Sequence, residues 1–214
     1  MSRFGPDPLA FFTEVYREPA PWDVGAAQPA LDELLDLYPP AGPGLDVGCG
    51  TGDLAIALAR REVPVLGVDF VEGAIAEARA RAATLPADVR RRLAFRVADA
   101  LRPSALEPSS WGPPFGAVVD SGFLHLFEEA ERDRFAADLA RVLRVGGRYY
   151  LLAFAVTFPG PQVPRAVEET ELRRRFSAGA GWRVLHCAPA TFASRVGDVP
   201  ALAACLERTA EPRA

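Results

Sequence analysis

A chain of 214 residues, 50% apolar and 24% charged, has the size and composition of one globular domain with a packed core. Its formal net charge of -4 argues against a polyanionic partner such as nucleic acid, and its longest apolar run, residues 149–158, is too short to cross a bilayer. There is no lysine, which excludes Schiff-base chemistry, and Cys49, Cys187 and Cys205 show neither disulfide nor metal spacing.

The N-terminus lacks a basic stretch followed by an apolar one, so a cytoplasmic protein with reduced thiols and no secretory signal is expected. Residues 9–17 can form a short helix with Phe11, Phe12, Val15 and Tyr16 on one side. After Pro21-Trp22-Asp23-Val24-Gly25 and Gln28, Pro29 suits the first turn of a second helix, which buries Leu31, Leu34, Leu35 and Leu37 and stops at Pro39-Pro40. A short strand, 45–47, runs into Gly48-Cys49-Gly50-Thr51-Gly52, and a helix over 54–60 follows at once. The pattern then alternates. A strand over 63–68 ends in Asp69, a helix covers 71–83, and a strand over 93–98 ends in Asp99. A loop at 101–114 leads to a strand over 115–119 that ends in Asp120. An amphipathic helix over 128–143 is closed by Gly146-Gly147 as its C-cap, and a strand follows at 148–154. A Pro-rich loop at 157–165, a helix at 167–176, a hairpin of strands 183–187 and 191–196, and a last helix at 199–208 complete the chain.

Strands alternating with helices predict an α/β fold, a doubly wound and mostly parallel sheet with helices on both faces. Ligands then bind beyond the carboxyl ends of the strands, where Asp46, Asp69, Asp99 and Asp120 all fall. The turn after the first strand is Gly48-x-Gly50-x-Gly52, neither the G-x-G-x-x-G of dinucleotide binders nor a P-loop, which would need a lysine. Glycines there let the backbone approach a ligand closely, and the helix behind them offers free N–H groups.

The turn 46–52 resembles motif I of the class I S-adenosylmethionine (SAM) methyltransferases. Residues 65–70, Ala98-Asp99-Ala100, 118–121 and 142–148 extend the resemblance over nearly the whole chain. It implies a Rossmann-like seven-stranded sheet whose last strand is antiparallel. Pro21-Trp22-Asp23-x-Gly25-x-x-Gln28-Pro29 and 119–125 are similar to a narrower group, the small-molecule enzymes that include thiol, halide and thiopurine methyltransferases. Bacterial enzymes that methylate quinolone- or benzoquinone-like heterocycles are more similar still. By that resemblance residues 1–40 form cap helices over the site, Trp22 closes it, and 41–214 form the catalytic core.

SAM would leave as S-adenosylhomocysteine, with no metal involved, since the Asp-Asn ligand pair of catechol-type enzymes needs an asparagine that this chain lacks. Asp69, about 20 residues past the turn, would take the ribose hydroxyls. Asp99 would take the adenine amino group with Ala100 behind it, and Phe70 would stack on the ring. Asp46 would orient the turn or meet the ammonium. Gly48, Gly50 and Gly52 would admit the backbone, with Cys49, Leu54 and Asp120 beside them. Cys49 has no neighbouring histidine in sequence and is read as packing, not as a nucleophile.

The acceptor pocket is expected among Phe12, Tyr16, Phe123, Phe158 and Arg165, the last meeting a carbonyl or oxyanion or lying on the surface. Aromatic walls suit a flat ring. His125, just beyond Asp120, is a general base, an acceptor-orienting group or a packed histidine, and His186 is structural. The expectation is a monomer or homodimer that methylates O or N of a small aromatic or heterocyclic acceptor, with neither nucleic acid nor membrane as partner. Thiol or halide methylation and SAM binding without turnover are the alternatives.

Overall fold

Residues 3–106 and 113–210 are described by a computed structural model, so 107–112 of the loop expected at 101–114 lie outside the described residues. The strands β1 (Gly44–Val47), β2 (Val65–Asp69), β3 (Leu93–Val97), β4 (Phe115–Ser121), β5 (Leu143–Phe154), β6 (Trp182–Phe192) and β7 (Val199–Arg208) form a single sheet in the order β3-β2-β1-β4-β5-β7-β6. The first five run parallel, and β7 lies antiparallel between β5 and β6.

Side-chain alternation divides the core into two layers. Val118 of β4, Tyr149 and Leu151 of β5, and Leu202 and Leu206 of β7 point to one face, where Phe135 and Leu139 of α6 (Glu129–Val142) and Leu172 of α7 (Glu169–Arg175) cover them. Val119, Tyr150, Leu152, Ala203 and Cys205 point to the other. There they meet Leu31, Leu34 and Leu35 of α2 (Pro29–Leu37), Leu58 of α3 (Asp53–Arg60) and Ile75 of α4 (Glu72–Ala83). α6 starts with a capping box in which Glu128 and Glu131 satisfy each other's backbone N–H groups. A one-turn helix, α5 (Ala87–Arg90), is an element the sequence pattern does not announce.

Two expected elements are corrected. Residues 199–208 are not a helix but β7, and the expected hairpin of 183–187 with 191–196 is not formed: β6 runs straight through the first of those strands and the turn, ends two residues into the second, and pairs with β7 from Trp182↔Arg208 to Phe192↔Val199. A strand covered on both faces carries no polar alternation, so the alanines and leucines of Val199–Arg208 read as helical. Gly146 is also not a helix cap. Leu143 is already extended (φ -82, ψ 134), and Gly146 takes φ +79 inside β5. There the register slips from Phe115↔Leu143 to Ala117↔Arg148, a bulge that a residue without Cβ accommodates.

Of the first 40 residues, α2 belongs to the core on one face of the sheet, and residues of the segment before it, from Phe4 to Gln28, line the cavity at the carboxyl ends of the strands. Phe4, Phe11 and Phe12 of the segment leading into and forming α1 (Pro8–Val15) cluster with each other, and Phe12 meets Phe70 edge to face at 5.7 Å. The buried Gln28 amide bonds Ala193 both ways, its Oε1 accepting from N–H at 2.7 Å and its Nε2 donating to C=O at 2.9 Å. The segment leading into α2 is thereby tied to the loop that follows β6. None of the described helices is long and apolar enough to cross a membrane.

Candidate active site

β1 delivers Asp46 and then turns sharply through Gly48 (φ +64), Gly50 (φ +51) and Gly52 (φ +90) into α3. Left-handed backbone at three alternate positions is what only glycine adopts without strain. A Cβ on Gly48 would lie 2.6 Å from the Phe123 ring, and one on Gly50 would lie 2.8 Å from the Tyr16 hydroxyl, so the turn is roofed closely on both sides. Gly52 plays a different part. Its missing Cβ makes room for Phe95 (2.9 Å) and Ala78 (3.1 Å), so it serves packing of the turn against the sheet, not approach by a ligand.

Asp69, at the end of β2, ties this turn. Its Oδ2 accepts from Gly50 N–H at 3.0 Å and its Oδ1 from Val71 N–H at 2.9 Å. Burial raises its pKa, and those two N–H bonds work against the shift. Asp46 is buried with Oδ2 unpartnered among the described residues, and burial pushes its carboxyl well up. A buried carboxylate oxygen without a donor, in the wall of a cavity, is a place for a cationic group. Cys49 is buried with its thiol pushed well up by desolvation, which suits packing and not nucleophilic chemistry.

The Trp22 segment lies against the turn. Asp23 accepts from Thr51 Oγ1 at 2.9 Å and from Gly25 N–H at 3.1 Å, and Arg81 donates to the same Thr51 oxygen at 2.8 Å while pairing with Asp53. Trp22 donates to the Tyr16 hydroxyl at 3.4 Å and crosses that ring edge to face at 5.9 Å. The sequence pattern does not mark Thr51 or Asp23 as a latch. The only signal for it is that Asp23 adjoins the Trp22 that the resemblance singles out.

One cavity of about 840 Å³ runs from this turn along the carboxyl ends of the strands. Asp46, Gly48, Cys49, Gly50, Leu54, Asp69, Phe70, Asp99 and Ala100 line one part of it. Asp99 is exposed and holds Leu101 N–H at 3.0 Å, and Leu101 adds an apolar wall that the sequence reading leaves out. Phe12, Phe123, His125, Phe154, Phe158 and Phe192 line the rest. Phe154 is the hub, with Phe192 edge to face at 5.0 Å, Phe158 at 5.8 Å and the His125 ring at 4.3 Å.

His125 is buried, and its Nδ1 accepts from Phe154 N–H at 3.1 Å. A neutral imidazole that accepts at Nδ1 carries its hydrogen on Nε2. Burial, with Arg132 nearby, holds the ring neutral by lowering its pKa to about 3. The expected general-base role is therefore not supported by this geometry, because the one free lone pair is already used. The orienting role fits, through Nε2–H.

Three further expectations are redirected. Asp120 faces away from the cavity: it accepts from Phe123 N–H (2.7 Å), Leu124 N–H (3.0 Å) and the Tyr149 hydroxyl (2.6 Å), and burial raises it to about 7. It shapes the turn that carries Phe123 and His125. Arg165 pairs with Glu128 at 3.2 Å and borders a separate surface hollow, so it is not among the cavity residues. Tyr16 sits on the glycine turn and not among the rings around His125. His186 lies in β6 with its ring 6.0 Å from Tyr38, outside the cavity.

Comparison with known proteins agrees with this geometry. Residues 45–147 match the family model described as a methyltransferase domain. A 2-heptyl-1-hydroxyquinolin-4(1H)-one methyltransferase of Mycobacteroides abscessus is 30% identical over 79% of this chain and 71% of its own length. A probable thiol methyltransferase 2 of Arabidopsis thaliana is 28% identical over 71% of this chain and 65% of its own. A solved protein from the conversion of a disulfide bond into a thioacetal group during echinomycin biosynthesis superposes with a TM-score of 0.77 at 28% identity, covering 94% of this chain and 93% of its own. The fold is shared with a Burkholderia thailandensis 1,6-didemethyltoxoflavin-N1-methyltransferase solved with 1,6-didemethyltoxoflavin and S-adenosylhomocysteine (TM-score 0.66, 21% identity, 95% and 85% covered).

Proposed function

Because the chain belongs to the class I SAM-dependent methyltransferases and uses SAM as its cofactor, we propose that it transfers a methyl group to O or N of a small aromatic or heterocyclic acceptor in the cytoplasm. The observation that carries this reading is the continuity of the single cavity from the glycine turn to the rings around His125. The quinolone-acting relative supports the acceptor class.

The residues fit SAM. The unpartnered Asp46 oxygen suits the ammonium, and its raised pKa would fall beside that cation. Asp69 keeps lone pairs for ribose hydroxyls while holding the turn. Phe70, Asp99, Ala100 and Leu101, which line the same cavity, would take the adenine. When bound, SAM supplies an electrophilic methyl on a sulfonium. The chain then has to position the acceptor in line and exclude water. Of the expected cap, the segment from Phe4 to Gln28 serves as the lid, and α2 behind it belongs to the core. Asp23→Ala, which frees the Trp22 segment from Thr51, is expected to weaken SAM binding about tenfold, or ~1.4 kcal/mol. Calorimetric titration should show this with little change in thermal stability, whereas unchanged affinity would remove Asp23 from the lid.

The thiol methyltransferase relative favours a second reading, methylation of a small thiol. Phe158→Ala separates the two. Phe158 is partly exposed and packs on Phe154, so its loss should raise the KM of a hydroxylated ring acceptor five- to twentyfold and leave SAM affinity alone. An unchanged ring KM, or an equal effect on hydrosulfide, would favour the thiol reading.

A further inference from the structure

We propose that His125 is a fixed hydrogen-bond donor that selects acceptors arriving already deprotonated. This rests on the methyltransferase reading above and narrows its substrate class to hydroxylated rings, N-hydroxy groups or ring N–H groups acidic enough to ionise near neutral pH.

Nδ1 is held by the N–H of Phe154 in β5, and a strand N–H cannot rotate away. The carbonyl of His125 is gripped as well: Arg165 N–H donates to it at 2.9 Å and the Arg132 guanidinium at 3.5 Å. Gly122, at φ +79, leaves the edge of the ring clear, since a Cβ there would lie 3.2 Å from both Cε1 and Nε2. The tautomer is thus set by the fold, and Nε2–H is the group left for a ligand.

The surroundings also leave the imidazole without a partner that would favour its cation. Arg132 of α6 is the charged group bearing on it. Asp120 of β4 is committed to Phe123, Leu124 and Tyr149. Arg165 is committed to Glu128, and the Phe154 ring of β5 and the Phe192 ring of β6 pack against the imidazole. Glu131, the cavity carboxylate closest to His125 in the chain, caps α6 by accepting from Glu128 N–H. His125 is therefore not the group that takes up a proton at this end of the cavity.

The step balances without a base. The anionic oxygen or nitrogen of the acceptor forms a bond to the methyl carbon, and the carbon–sulfur bond breaks with its electron pair left on sulfur. The products are the neutral methyl ether or amine and S-adenosylhomocysteine. Nε2–H holds the accepting anion or an adjacent carbonyl in line.

The chain has only two histidines, so nitrogen-15 labelling of histidine gives a spectrum of two imidazoles, assigned with His186→Gln. His125 should stay neutral with hydrogen on Nε2 from pH 5 to 8, with and without SAM. A ring that titrates near pH 6.5, or one protonated on Nδ1, overturns the proposal. The kinetic arm uses two hydroxylated ring acceptors whose own pKa values differ by two units. The rising limb of kcat/KM against pH should move with the acceptor by the same two units, and a limb common to both would mean that a protein base sets it. His125→Gln, which keeps an N–H donor, should retain activity within tenfold, while His125→Phe should lose more than a hundredfold. Equal loss in both variants, with His125 seen to titrate, contradicts the donor role. If SAM binds but no acceptor is methylated, the functional reading fails while the spectrum still decides the tautomer.

Discussion

Gly48→Val is expected to weaken SAM binding at least a hundredfold, or about 2.7 kcal/mol. Two costs combine. Gly48 sits at φ +64, where a β-branched residue is strained by ~1–2 kcal/mol or more. Its new Cβ would also lie 2.6 Å from Cδ2 of Phe123, well inside contact distance. Phe127 at 4.7 Å and Phe135 at 5.5 Å hold the Phe123 ring, so the strain is relieved either by that ring swinging into the cavity it lines or by moving the turn itself, and with it the Gly50 N–H that Asp69 holds. Gly73→Ala is the matched control, since nothing lies within 4 Å of the added Cβ in α4. Calorimetry should find the control unchanged and the valine variant silent or nearly so. Full affinity in Gly48→Val would show that the turn is not the cofactor cradle.

Arg132→Met should be the most damaging single change to the fold, by roughly 3–5 kcal/mol, or a fall in melting temperature on the order of 10 °C. Arg132 is 3% exposed, so its charge is paid for by partners alone. One guanidinium nitrogen bonds both Glu171 oxygens at 3.0 Å and the Ala166 carbonyl at 3.2 Å, and the other reaches the carbonyls of Arg165 and His125. Methionine fills the space but returns none of those donors, leaving buried carbonyls unsatisfied. Glu171 retains Arg175, so the carboxylate itself is not orphaned and the variant should still fold at low temperature. Because the His125 carbonyl loses one of its two donors and keeps only Arg165 N–H, methyl transfer should fall more than SAM binding does. Thermal melts and kinetics on the same sample test both parts, and a melting temperature within 2 °C of the parent would refute the account of this cluster.

Much of the part of the cavity around the glycine turn is legible in the sequence because it is local. A short strand, glycines at alternate positions and an acid some 20 residues on are features of adjacent residues, and Gly48, Gly50, Asp46 and Asp69 follow from them directly. What fails is whatever depends on a residue's direction or on a distant partner. Asp120 stands at a strand end like the other acids, but pleating turns its carboxylate to Tyr149, 29 residues away. Gly52 follows the spacing of its neighbours, yet its missing Cβ admits Phe95 from β3. His125 looks like a base until Phe154 N–H is found on Nδ1. Val199–Arg208 shows the same limit at the level of the fold, since a strand buried between β5 and β6 loses the alternation that would reveal it. The Asp23–Thr51 hydrogen bond joins two segments 28 residues apart, so no local pattern announces it.

The most direct test is transfer of a labelled methyl group from SAM to a panel of a hydroxyquinolone, an electron-poor phenol, a simple thiol and iodide, with the parent protein beside Gly48→Val. The account predicts label on the ring acceptors, at a rate that follows their ionisation, and none in the variant. Label appearing on the thiol or iodide alone, or SAM bound with no acceptor labelled, would contradict it.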